Sequence, residues 1–206
     1  MTDFTTWPYI GGGSERRCYR NPDNPRRMVK LSPVKDAKQT LREIEYYEYL
    51  IKHQIPFDHI PKFYGTVRQD GYIGIEQEFV TFRPDSDEQA PTLGHYILQG
   101  TNAEQRADLN AAFIKLHDYL IKWNISLCDM QMSNVVVQEK NNHIHLMIID
   151  GLGSTEVIPI SRWFASLNLQ KLERYWKKFN RKILKTDPTL RSCIFGEALV
   201  KPKDLV

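Results

Sequence analysis

The sequence predicts an α+β fold in two lobes, a small antiparallel sheet followed by a reduced, mainly helical part, and two observations carry that prediction. Over the first eighty residues, short β-prone runs alternate with Gly, Pro, Asn and Asp turns around one helix-period stretch. Beyond residue 91, helix-period apolar patterns dominate and enclose a single hairpin signal. With 206 residues, 41% of them hydrophobic and 26% charged, the chain has the composition of a globular protein able to bury a core. The expected division is one domain over 1–206: about 1–80 for the first lobe, 81–91 for an inter-lobe hinge and loop, 92–186 for the second lobe and 187–206 for a tail.

The run Tyr9-Ile10-Gly11-Gly12-Gly13-Ser14 leads into Arg17-Cys18-Tyr19-Arg20, a Pro/Asn/Asp turn and Arg27-Met28-Val29-Lys30-Leu31, which reads as strand, turn, strand. Glycines without a Cβ let backbone N–H groups approach an anion; the same run also suits a plain linker. From Ala37 to His53, the apolar residues Ala37, Leu41, Ile44, Tyr47 and Ile51 mark one face of a helix closed by Pro56. Ile60–Val67 and Tyr72–Val80, joined through Gln69-Asp70-Gly71, read as a hairpin of two half-buried strands. The loop Arg83–Pro91, rich in Pro, Asp and Ser, is expected to cross between the lobes, a common position for ligands.

Ala103–Asn124 carries Leu109, Ala112, Phe113, Leu116, Leu120 and Ile121 at the spacing of a core helix. Asn134–Gln138 and Ile144–Ile149 flank Asn141-Asn142, a strong hairpin signal that puts Asn134 and Asp150 at the outer ends of paired strands and hence close together. With Asp129 just upstream they form an all-oxygen set suited to Mg²⁺ rather than zinc or copper, although Asp before Gly and Asn before a strand are also ordinary turn residues. Leu169, Leu172, Trp176, Phe179 and Ile183 form an apolar stripe on a last helix whose other face carries Lys171, Arg174, Lys177, Lys178, Arg181 and Lys182. A core-packing helix with a solvated basic face is the favoured reading, ahead of binding to nucleic acid, acidic lipid or an anionic substrate. Pro188 and Pro202 point to irregular structure in the tail.

The first residues lack a basic flank followed by an apolar run, and no stretch is long enough to span a bilayer, so a cytoplasmic location without a transmembrane segment is expected. Cys18, Cys128 and Cys193 are odd in number, widely separated and without metal-ligand spacing, which argues against a disulfide framework or a zinc site. A net charge of +3 is too small to imply a polyanionic partner by itself.

Asp129-Met-Gln-Met-Ser-Asn134 and Ile148-Ile149-Asp150-Gly151 resemble the catalytic loop, D-x-x-x-x-N, and the metal-binding D-F-G motif of protein kinases. Gly11 and Gly13, Lys30, Glu43, Asp129, Asn134 and Asp150 stand in the order of the protein-kinase-like superfamily over about Tyr9 to Gly153. The resemblance implies a kinase-like fold using ATP and Mg²⁺. Gly11 and Gly13 would cover the phosphates, Lys30 would contact them while paired with Glu43 rather than Glu45, Asn134 and Asp150 would hold the metal, and Asp129 would take the acceptor proton.

Arg16-Arg17-Cys18-Tyr19, Arg42-Glu43-Ile44-Glu45-Tyr46-Tyr47, Ile60–Val67, Gly153–Pro159 and Leu172–Phe179 are similar to the YrbL family of bacterial PhoP regulatory network proteins, over nearly the whole chain except its tail. Departures from the kinase pattern are as specific as the matches. Leu127 and Cys128 stand where kinases usually place His and Arg, Gln131 replaces a loop Lys, no A-P-E segment follows Gly153, and Arg16 takes the position of a third glycine and offers a positive charge there. A full kinase domain usually needs roughly 250 residues, so substrate-binding helices are expected to be missing.

The expected function is therefore an atypical ATP- and Mg²⁺-dependent phosphotransferase acting on an unknown hydroxyl acceptor, a small molecule, an envelope sugar or a protein, in bacterial regulation or envelope stress. The alternative is a catalytically weak or inactive pseudokinase that binds nucleotide or a partner. Nucleic-acid binding ranks last because no base-reading motif accompanies the basic helix.

Overall fold

The β-prone runs of the first eighty residues assemble into one five-stranded antiparallel sheet in a computed structural model that describes residues 3–13, 15–153 and 165–190. The strands are β1 (Tyr9–Gly12), β2 (Arg17–Arg20), β3 (Arg27–Pro33), β4 (Phe63–Gln69) and β5 (Tyr72–Glu78), in the spatial order β1-β2-β3-β5-β4. Strand β5 thus lies inside the sheet, paired with β3 through Lys30↔Ile75 and Leu31↔Gly74. A Cβ on Gly74 would stand 2.1 Å from the Lys30 carbonyl oxygen, so only glycine permits this approach of the two backbones. The interior position also corrects the half-buried expectation for β5: Ile73, Gly74, Ile75 and Gln77 are all buried.

Helix α1 (Lys38–Lys52) packs on this sheet, but by a rotated face. Leu41 and Ile51, expected to point inward, are each 51% exposed. Ala37, Ile44 and Tyr47 are buried as expected, joined by Thr40, Glu43, Tyr46 and Leu50. The reason is polar. Glu43 is drawn to cations beneath the helix, Thr40 Oγ1 shares a 2.7 Å hydrogen bond with Ser32 Oγ, and both sites fix the helix azimuth against its apolar pattern. Tyr47 completes the packing by stacking on Phe63 with ring centroids 4.8 Å apart.

The segment after β5 folds back on itself through an isolated bridge, Thr81↔Gln89. It is tied back to the sheet by Arg26 Nη1, which donates to Thr81 Oγ1 at 2.7 Å and to the Ser86 carbonyl at 2.9 Å. Helix α2 (Leu93–Leu98), capped by Thr92, was not expected; at six residues it is too short to show a period. Helix α3 (Ala103–Lys122) begins with a capping box formed by Asn102 and Gln105. The hairpin β6 (Val135–Lys140) and β7 (His143–Ile148) turns at Asn141 and Asn142, both at positive φ, 53° and 61°.

The last helix, α4 (Ala165–Thr186), buries Leu172, Trp176, Phe179 and Ile183 in the same apolar cluster that contains Tyr47 of α1 and Leu116 of α3. It is a core-packing helix, as its stripe predicts, and Arg174, Lys177, Lys178 and Arg181 stay exposed. A short 3-10 turn at Pro188–Leu190 buries Leu190. Ser154–Pro159, Cys193 and Pro202 lie outside the described residues. No helix among the described residues is long and apolar enough to cross a membrane.

Candidate active site between the lobes

A cleft of about 600 Å³ opens between the sheet and the hairpin, lined by Gly11–Gly13 and Arg16 at the β1–β2 turn, by Lys30, Val80 and Ala90, and by Asn134, Val136, Ile149 and Asp150. Lys30 reaches it because its side chain turns from β3 toward α1 and the residue just past β7. Its ammonium is 3.3 Å from Glu43 Oε1 and donates to the Ile149 carbonyl at 2.6 Å. Lys30 is 5% and Glu43 1% exposed. The Lys–Glu pairing, with Glu43 rather than the exposed Glu45, is thus present in the geometry.

Arg16 is a second buried cation there, 6% exposed. One guanidinium nitrogen donates to Glu43 Oε2 and the other to Asp150 Oδ1. Asp150 Oδ1 also accepts from Gln39 Nε2 at 3.3 Å and from its neighbour's backbone, Gly151 N, at 2.7 Å. Burial opposes ionisation of the Asp150 carboxyl, but Lys30 and Arg16 outweigh it and hold its pKa below the usual carboxylate value. Burial likewise works against the Arg16 cation, and Glu43 and Asp150 overcome it. Cys18, on the cleft wall, has its thiol pushed up by burial and so stays protonated at neutral pH.

The two polar motifs meet through backbone. Ile149 N donates to the Asn134 carbonyl at 2.8 Å, which extends the β6–β7 ladder to the two motif residues at its end. Cys128 N donates to the Gly151 carbonyl at 2.8 Å, Gly153 N to the Ser126 carbonyl at 2.9 Å, and Leu127 bridges Leu152. Gly151 has φ +83°, and a Cβ there would lie 2.7 Å from the Asp129 carbonyl oxygen and 3.5 Å from Asn134 Nδ2. Asp129 does not line the cleft itself; it adjoins it across Gly151. Leu127 is buried in the core, 2% exposed.

All the residues singled out in the sequence, Gly11, Gly13, Lys30, Glu43, Asp129, Asn134 and Asp150, therefore gather at or beside one cleft. Three further polar residues belong to the same constellation. Gln39 precedes Glu43 by one helical turn, a spacing that could have revealed it. Arg16 was visible as a missing third glycine that offers a positive charge, but not as the partner of Glu43 and Asp150. Gln131 donates to the Asp129 carboxylate and lies with its Oε1 3.5 Å from Lys182 Nζ on α4, a contact across the fold that no local pattern signals.

Among the described residues, no group of three or more His, Cys, Asp or Glu is arranged to hold a metal. Asn134 and Asp150 both line the cleft, and an amide oxygen and a carboxylate are donors of the kind Mg²⁺ accepts when phosphates supply further ligands. The residues present fit that ion.

Residues 4–184 match the family described as PhoP regulatory network protein YrbL. Two proteins named "Uncharacterized protein YrbL", from Escherichia coli (strain K12) and Shigella flexneri, are each 26% identical to the chain over 175 residues, covering 82% of it and 82% of their own length. A crystal structure of a kinase domain aligns with 73% of the chain at a TM-score of 0.51 and 14% identity, a likeness of fold. The chain spans about half, 51%, of that kinase domain's length.

Proposed function

Because the chain belongs to the family of the PhoP regulatory network protein YrbL and has a bilobal kinase-like fold, we propose that it is an atypical ATP- and Mg²⁺-dependent phosphotransferase acting on a hydroxyl acceptor in the bacterial cytoplasm, in regulation or envelope stress. The observation that carries this reading is Lys30: its ammonium is held by Glu43 and by the carbonyl of Ile149, directly beside Asp150 and over the cleft. A lone structural lysine has no need of a buried carboxylate from α1 and a backbone anchor just past β7 together.

Lys30, positioned by Glu43, contacts the nucleotide phosphates, and the apolar wall of Met28, Val80, Ala90 and Val136 takes the base. Asn134 and Asp150 would hold Mg²⁺, which supplies charge neutralisation at the phosphates. Asp129 orients the acceptor hydroxyl and receives its proton as the hydroxyl oxygen bonds to the γ-phosphorus and the bond to the ADP oxygen breaks. The acceptor is a small molecule, an envelope sugar or a protein; the absence of an A-P-E segment after Gly153 counts against conventional peptide docking.

Calorimetric titration with ATP, with and without Mg²⁺, tests the reading on wild type and an Asp150→Ala variant. Magnesium-dependent binding that is lost in the variant supports it, and no binding by wild type removes it. A second reading, a pseudokinase that binds nucleotide or a partner without turnover, draws on the catalytic loop having Gln131 in place of a cation. Sustained Asp150-dependent phosphate transfer would exclude it.

A further inference from the structure

Arg16 occupies the position on the glycine turn where kinases carry a third glycine, and its guanidinium is committed to both Glu43 and Asp150. The cleft thus holds four ionised side chains in balance, Lys30 and Arg16 against Glu43 and Asp150. Remove Arg16 and the set becomes net negative, a poor receptor for a triphosphate. Leave Arg16 where it is and it competes with a metal ion for Asp150, whose Oδ1 is already shared with Gln39 and Gly151 N. A guanidinium that moves from carboxylate to phosphate when nucleotide arrives meets both demands. Its planar fork pairs with either group equally well, and it already lines the cleft from the turn that lies over it.

Resting on the nucleotide reading above, we propose that Arg16 is a phosphate-binding residue that stands in for the divalent cation at Asp150 while the cleft is empty. Metal and nucleotide then enter together. Mg²⁺ alone must compete with a buried cation for Asp150, whereas nucleotide alone would draw Arg16 away and leave Asp150 with less positive charge beside it. Each ligand prepares the site for the other, which is positive coupling between two bound species.

The test uses the full chain, Arg16→Gln and the charge-retaining Arg16→Lys, with unfolding curves recorded to show that each is folded. Free Mn²⁺ is counted by its electron-spin resonance signal without nucleotide, and a non-hydrolysable ATP analogue is titrated calorimetrically with and without Mg²⁺. In Arg16→Gln, affinity for Mn²⁺ alone is expected to rise about tenfold and affinity for the Mg²⁺–analogue complex to fall about tenfold, the size of losing one charge-assisted contact. Arg16→Lys is expected to fall between. Unchanged Mn²⁺ affinity in Arg16→Gln, or undiminished analogue binding, overturns the assignment while leaving the nucleotide site intact. Absence of analogue binding in wild type overturns the nucleotide reading as well, and that failure appears in the unaltered chain.

Discussion

Lys182 Nζ, near the end of α4, stands 3.5 Å from Oε1 of Gln131, whose amide in turn donates to the Asp129 carboxylate. The loop that lacks a lysine of its own at position 131 thus has one delivered by a helix fifty-one residues later in the chain. On the proposed phosphotransfer reading, a Lys182→Met variant is expected to lose about tenfold or more in turnover while nucleotide affinity holds, since charge beside the proposed transfer site would act mainly in the transition state. Single-turnover phosphate release from ATP, set against calorimetric affinity, separates the two effects. An equal loss in both would show the lysine to be structural.

If the chain is the phosphotransferase proposed above, Asp129→Asn is expected to keep the shape of the loop and remove the proposed proton acceptor. Turnover should fall by about 10²- to 10⁴-fold with little change in nucleotide binding. Phosphate release measured on the variant and wild type under identical conditions checks this, and full activity would end the assignment of Asp129.

Gly151→Ala meets two penalties at once, a φ of +83° and a Cβ 2.7 Å from a backbone oxygen that cannot rotate away. A destabilisation of about 2 kcal/mol or more is expected. Denaturant unfolding reads it as a lower midpoint at constant slope; a change within error would mean that the turn relaxes freely.

Helix α4 makes opposite predictions for its two faces. Phe179 is fully buried with its ring edge-on to Phe113 at 6.1 Å, so Phe179→Ala is expected to cost about 3–5 kcal/mol. Lys178→Glu, on the exposed face, should stay within about 0.5 kcal/mol of wild type. Equal costs would contradict the packing of this helix.

His59 and His145 stack with ring centroids 4.5 Å apart; a nitrogen of each bonds a backbone carbonyl, that of Leu146 and Asp58 respectively, at 2.7 Å. Burial, followed by the nearby Lys140 charge, pushes His145 down to about 4, and burial lowers His59 too. An unfolded histidine titrates near 6.5, about as in model peptides. Between those values the unfolded chain binds more protons than the folded one, so stability is expected to fall as pH drops from about 6.5 towards 4. His145→Gln should flatten that slope in melting temperatures recorded across the range, and an unaltered slope would place the acid sensitivity elsewhere.

How much of this was legible depended on the distance along the chain over which each contact is specified. The Asn134–Asp150 juxtaposition could be read because one hairpin sets it: Asn141 and Asn142 fix the turn, and alternation carries the register to its ends. The Lys30–Glu43 pair followed from the resemblance and from a strand feeding a helix. The inward face of α1 was misread at Leu41 and Ile51 because apolar periodicity cannot see that a buried glutamate has cations to meet.

The sequence by itself determined the local elements and the polar residues, since turn chemistry and periodicity act over a few residues. Only the tertiary structure decided that β5 slides between β3 and β4, that Arg16 fills the space beside Asp150, and that Lys182 comes to Gln131. Those outcomes rest on long-range packing and on pairing among buried charges, whose energies depend on which surfaces are removed from water together, a quantity that no single segment of the chain contains.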